Sequence, residues 1–349
     1  MPPLLRFFPS RRFRAGWIGA WVLVILAAAG CQPPVPRERD LLIATATTGG
    51  TFYPVGVAMA SLISREPAEG GPVLASAITS SGSAENIVML DNGEAQLAIL
   101  QALFGSMAWK GTGVYEGRPV AGLRGLAMLW PNVEQVVVAR RFAESGGVDD
   151  LRALDGRALS IGSRWSGTEV SARTILTTLG FSPGVDFQVA HLGYGPSADA
   201  MLNRRVSGLF LAGGIPTGAI TQVYAGLGAD NVTMLSFSPE HVARLRSVYP
   251  VWDAFTIPAD TYPGQSEPVR TIAQPNILAT SAEVSNEVIL HVLRAVWNNL
   301  DTLHRHHAAT RSMSLETALD GLPLPLHPGA VRFYREAGVP VPEELLPPS

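Results

Sequence analysis

The run LLIATATTGGTFYPVG, Leu41 to Gly56, is where the chain first declares its fold. A short apolar stretch leads into threonines and a Gly-Gly pair, and Pro54 follows where proline can open a helix. A strand that ends in a glycine-rich turn and feeds a helix aims unpaired backbone N–H groups at an anion. Further units of this kind follow. VLASAIT leads to SSGSAEN and IVMLDNGEA, with Ser83 placed to cap a helix three residues before Asn86. LAILQ reads as a buried strand ending at Gln101. ALSIG leads to SRWSGTE and the helix VSARTILTTLG, stopped at Gly180, and SGLFLAGG leads to IPTGAITQVY. Strands alternating with helices of this length predict an α/β fold with a parallel sheet. Ligands of such sheets sit beyond the carboxyl ends of the strands, where four of these Gly/Ser/Thr turns are expected to meet.

Each turn also has a plain structural reading, in which glycine supplies a positive φ and serine or threonine caps a helix. No turn carries the GK[ST] of a phosphate loop or the G-x-G-x-x-G spacing, so no nucleotide cofactor is expected. There is no G-x-S-x-G elbow, and Ser106 stands four places before Lys110, which excludes S-x-x-K. HRHH, His304 to His307, lacks the i, i+4 spacing and carboxylate support of a helical metal pair and is expected on the wet end of one helix, EVILHVLRAVWNNLDTLHRHH. No metal, cofactor or catalytic residue is therefore expected.

Residues 1–30 combine Arg6, Arg11, Arg12 and Arg14 with the apolar AGWIGAWVLVILAAAG and read as a signal peptide. Cys31, the single cysteine, follows Ala28-Ala29-Gly30 as in a bacterial lipobox and is the expected lipidation site, with residues 31–40 a lipidated linker. An exported, periplasmic lipoprotein held to the membrane by its anchor is the corresponding localisation. Without residues 1–30, which carry four arginines and no acid, the formal charge moves from −3 to −7. That balance argues against a nucleic-acid partner. The remaining length suggests two domains.

IATATTGGTFYPVGVAMASLI resembles the opening signature of the TAXI family, the solute-binding receptors of tripartite ATP-independent periplasmic (TRAP) transporters. Further matches follow in order: TSSGSAENIVMLDNGEAQLAILQ, LSIGSRWSGTEVSARTIL, LGYGPSADAML, LAGGIPTGAI, IPADTYPGQ and GLPLPLHPGAVRFYREAG. The resemblance implies a two-lobed periplasmic binding protein fold of the type II kind, with a ligand cleft between lobes. Lobe 1 is expected from 40–135 plus 277–349 and lobe 2 from 136–276. The two are expected to carry separate sheets, with EQVVVA and PNILAT as the paired crossover strands.

It further implies capture of a small organic acid, of the glutamate or 2-oxoglutarate kind, for delivery to a TRAP-type permease. Thr48, Gly49, Gly50, Tyr53, Ser81, Ser83, Asn86 and Gln101 would hold the ligand from one lobe. Ser163, Ser166, Gly167 and Thr168 would approach from the other, with Tyr194 and Gly214. The chain departs from the family pattern at Ser163-Arg164-Trp165, where an Ala-Pro-Gly-like run is usual. Arg164 there either pairs with a ligand carboxylate or points to solvent. Two rival readings use the same fold: an enzyme working through Glu169 and His191, or a lipid-tethered sensor without a transporter.

Overall fold

The computed structural model describes residues 39–348, so the leader, Cys31 and most of the linker lie outside the described residues. Alternation of strand and helix begins at once: β1 (Asp40–Ala44), α1 (Phe52–Arg65), β2 (Leu74–Ile78), α2 (Ser83–Asp91), β3 (Leu97–Gln101) and α3 (Ala102–Lys110). A long strand, β4 (Leu123–Ala139), follows. Then come β5 (Ala158–Ser160), α4 (Gly167–Thr178), β6 (Gln188–Ala190), α5 (Tyr194–Leu202), β7 (Gly208–Gly213), α6 (Gly218–Leu227), β8 (Val232–Leu235), α7 (Pro239–Val248) and β9 (Asp253–Ile257). A second long strand, β10 (Val269–Ser281), precedes α8 (Asn286–Trp297), α9 (Leu300–His306) and α10 (Pro328–Glu336).

The α/β expectation holds, but the sheet is mixed. β1 pairs in parallel with β2 and β3, and β5 with β6 and β7, whereas β10 runs antiparallel to β3, β4 and β9, and β4 to β7 and β8. The backbone ladder is continuous in the order β2-β1-β3-β10-β4-β7-β5-β6, which corrects the expectation of separate sheets. The cause is strand length. β4 has 17 residues and β10 has 13, enough for each to pair with the other along part of its length and with different neighbours beyond it. The fragments EQVVVA and PNILAT lie on these strands but do not face each other. PNILAT opposes residues 124–131 of β4 and residues 97–101 of β3, while Glu134 and its successors oppose β7.

The apolar interior is divided where the ladder is not. One cluster draws on residues 41–130 and 277–345. Two others draw on residues 133–273, joined by Leu103 and Met107 of α3. β3 is buried along its whole length, as its unbroken apolar run requires in a strand covered on both faces.

Two local expectations fail for reasons visible in the side chains. Ser83 does not cap α2 from outside, because the helix begins at Ser83 itself, and its hydroxyl accepts the backbone N–H of Gln101 at 3.0 Å. The preceding Gly82 takes φ +116°, a conformation that favours glycine. The single C-terminal helix is broken between α8 and α9, where Asn299 donates its amide to the carbonyl of Ala295 at 2.8 Å and leaves the helical region. His307 beyond α9 accepts the N–H of Ala309 and so caps the next short turn.

Candidate functional site

The turns leaving β1, β2, β3, β5 and β6 converge at their carboxyl ends, together with Ala212 near the end of β7, around one cleft. Its walls are Ala46, Thr47, Gly50, Thr51 and Phe52 after β1, Ser81, Gly82 and Ser83 after β2, and Gln101 at the end of β3. Ser163, Ser166, Gly167 and Thr168 after β5, Tyr194 after β6 and Ala212 on β7 complete it. The enclosed space is about 30 Å³, within a cleft whose free space out to the mouth is about 430 Å³. The enclosed part holds about two water molecules.

None of these lining side chains is charged. The polarity of the site comes from helix ends. Phe52 begins α1, Ser83 begins α2, Gln101 precedes α3, Gly167 and Thr168 begin α4, and Tyr194 begins α5. The first N–H groups of a helix have no partner inside it, and each such end carries partial positive charge that stabilises a nearby anion by about 0.3–1 kcal/mol. Hydroxyl groups add donors. Ser83 and Ser166 already accept the N–H groups of Gln101 (3.0 Å) and Glu169 (3.1 Å), which leaves each hydroxyl proton to donate.

The wall from β5–β7 is tied together by Tyr194. Its hydroxyl donates to the carbonyl of Ala212, stands 2.7 Å from Thr168 Oγ1 and accepts the N–H of Ala212 at 3.2 Å. Burial pushes its phenol well above the usual value, so it stays a neutral donor. The opposing walls touch. Ala219 N–H donates to the carbonyl of Gly49 at 3.1 Å, Thr51 donates its hydroxyl to the carbonyl of Gly214 at 2.8 Å, and Tyr194 N–H lies 3.4 Å from Thr47 Oγ1. Glycine is needed at the closest approach, since a Cβ on Gly49 would stand 2.7 Å from Gly195 N.

Of the residues expected from sequence, Gly50, Ser81, Ser83, Gln101, Ser163, Ser166, Gly167, Thr168 and Tyr194 line the cleft. Thr48, Gly49, Tyr53, Asn86, Arg164 and Gly214 do not. Thr48 is exposed. Asn86 is buried behind the wall, where its amide donates to the carbonyls of Thr45 (2.7 Å) and Ile99 (2.9 Å) and its oxygen accepts from Ser80. Gly214 packs on Trp130 and Ala309 and offers its carbonyl to Thr51. The role expected of Gly50 also changes. Its N–H is committed to the carbonyl of Thr47 at 3.2 Å, and its missing side chain makes room for the Tyr194 ring, 3.1 Å from where a Cβ would stand. Ala46, Thr47, Thr51, Phe52, Gly82 and Ala212 line the cleft without having been singled out; all but Ala212 lie inside the quoted turns.

Arg164 and Trp165 are exposed and do not line the cleft, Trp165 with 72% of its surface exposed and φ +61°. Glu169 holds this turn in place, because its carboxylate accepts Trp165 N–H at 2.7 Å as well as Arg173 Nε at 2.9 Å. His191 Nδ1 is 3.5 Å from the same carboxylate, so the two residues of the enzyme reading do meet. Neither lines the cleft. Burial lowers the His191 pKa, against the pull of Glu169, and keeps the ring neutral. Among the described residues no group of three His, Cys, Asp or Glu side chains is placed to hold a metal ion.

The NMT1-like family matches residues 43–338 of the chain. Among solved structures, MatC from Rhodopseudomonas palustris with bound malate is similar at a TM-score of 0.50 and 12% identity, over 80% of this chain and 90% of that one. The ligand-binding component of an ABC-type import system from Staphylococcus aureus, with zinc bound, is similar at a TM-score of 0.44 and 10% identity, over 89% and 97% of the two chains. AbpA from Streptococcus pneumoniae, an amino acid ABC transporter substrate-binding protein bound to L-arginine, is similar at a TM-score of 0.45 and 11% identity, over 77% and 92%.

Proposed function

This chain belongs to the NMT1-like family, and from that premise we propose that it is an extracytoplasmic solute-binding receptor that captures a small carboxylate without transforming it. The observation that carries this reading is the convergence of five helix N-termini on a cleft lined by no charged side chain. An ionised carboxylate removed from water needs its acceptor sites refilled, and unpaired N–H groups with serine hydroxyls are suited to that task. The wall's hydroxyls have no acid, base or lysine beside them in the lining to activate them, so in this reading the bound molecule leaves as it came.

The direct contacts between the opposing walls, Ala219 N–H to Gly49 and Thr51 to Gly214, favour a receptor that works by opening and closing. In this reading the parts served by the separate apolar clusters act as two lobes, and β4 and β10 are the flexing connection. Ser83 and Gln101 hold the ligand from one side. Ser166, Gly167, Thr168 and Tyr194 close from the other. The ordered TAXI-like motifs support a TRAP-type permease as the partner, and the leader with Cys31 supports export and a lipid anchor.

Native mass spectrometry of freshly purified mature protein, followed by titration calorimetry with malate, 2-oxoglutarate and glutamate, tests the reading. A retained or titrated carboxylate recovered unchanged is the expected result. Failure of every acid to bind, or turnover of one, removes it. Loss of uptake on deleting a neighbouring TRAP-type permease tests the partner.

A further inference from the structure

Glu134 is a fully buried carboxylate on β4, one residue beyond the Val133–Ala273 pair where the β4–β10 ladder ends. Its Oε1 accepts the hydroxyl of Ser171 from α4 and lies 3.5 Å from Gln274 Nε2 on β10. Its Oε2 has no partner. The same Gln274 nitrogen is 3.5 Å from Oε1 of Gln101, a cleft-lining residue. One amide therefore links the buried carboxylate to the wall of the site. The charge of Glu134 also reaches Tyr194, another wall residue, where it helps to raise the phenol.

Among the described residues no cation offsets this charge. The groups that face it are Ser171 from α4, Gln274 from β10, the indole of Trp252 ahead of β9 and the phenol of Tyr194 from α5, while Thr271 bonds to its backbone carbonyl. Glu169 and Arg173, also on α4, are paired with each other. Burial raises the Glu134 carboxyl to about 7.

A second negative charge brought into the cleft acts on this one across the buried side chains of Gln101 and Gln274. Like charges in such surroundings favour protonation of the weaker acid. Taking the carboxylate-binding reading above as its basis, we propose that capture of an anion in the cleft is coupled to uptake of one proton by Glu134. The proton comes from solvent and goes to Oε2, the oxygen without a partner, while Oε1 keeps its bonds to Ser171 and Gln274. The sign follows from linkage: the protonated form binds the anion better, so affinity falls as pH rises above the value at which Glu134 titrates in the free protein.

Calorimetry with malate, 2-oxoglutarate and glutamate, each in buffers of low and high ionisation enthalpy, counts the protons. The expected uptake is about half a proton per ligand at pH 7, rising toward about one at pH 8, with about fivefold weaker binding over that unit. Glu134→Gln is expected to abolish both the uptake and the pH dependence. Zero uptake by the wild type at both pH values overturns the proposal whether or not the variant folds, and uptake that persists in a folded Glu134→Gln overturns it as well. If none of the three acids binds, the carboxylate reading falls first and this inference falls with it. Binding without uptake leaves that reading standing and removes only the coupling.

Discussion

Gly167 at the start of α4 faces Ser83 at the start of α2 so closely that a Cβ on the glycine would stand 2.8 Å from the serine hydroxyl and 3.0 Å from Cδ of Gln101. Two helix N-termini, separated in sequence by more than eighty residues, thus come together only because one of them carries no side chain.

Gly167→Ala should keep the walls apart without harming the helix, since alanine favours helix at that position. The expected result is at least about tenfold weaker binding of the carboxylate that the wild type binds best, equivalent to about 1.4 kcal/mol. The thermal midpoint of the ligand-free protein should not fall. Calorimetry and thermal denaturation on the same samples measure both. Wild-type affinity in the variant would show that this contact does not belong to the bound state.

Arg164→Ala should change affinity by less than about twofold, because the side chain is exposed and outside the cleft and a solvated surface charge contributes little. A loss of tenfold or more would place Arg164 on the ligand and require the turn at Ser163–Trp165 to swing inward.

The ionisation of Glu134 predicts a pH dependence of stability as well. Its carboxyl titrates at about 7 when folded, above its ordinary value of 4.5, so the folded state holds the proton more tightly than the unfolded chain. Stability from this group is fully present below the ordinary value and is lost as pH rises to about 7. The loss is on the order of 3 kcal/mol. Urea denaturation at pH 5 and pH 8 should show a drop in the wild type that Glu134→Gln lacks, with the variant the more stable of the two at pH 8. Equal slopes would mean that Glu134 is ionised and compensated at both pH values.

Cys31→Ser should move the protein from the membrane fraction to the soluble periplasmic fraction. Equal solubility of wild type and variant on fractionation would exclude lipidation at this residue.

Local pattern in the sequence determined that the chain is α/β, that its Gly/Ser/Thr turns follow strands, and that LAILQ is buried, because side-chain periodicity and turn chemistry act within a few residues. The family resemblance, rather than local pattern, pointed to Ser83, Gln101, Ser166, Gly167, Thr168 and Tyr194, which the fold brings to one cleft. Only the tertiary structure decided which neighbours in those turns face inward. Asn86 and Gly214 sit in turns of the same kind as the wall residues, yet their groups are consumed by backbone bonds to strands and loops that come from elsewhere in the chain. The continuous ladder depended on how far β4 and β10 overlap, a register set by partners more than a hundred residues apart. Glu134 was equally hidden. In the sequence it is one acid in an apolar strand, and its chemistry arises from full burial beside Gln274 and Ser171, contacts that no local pattern encodes.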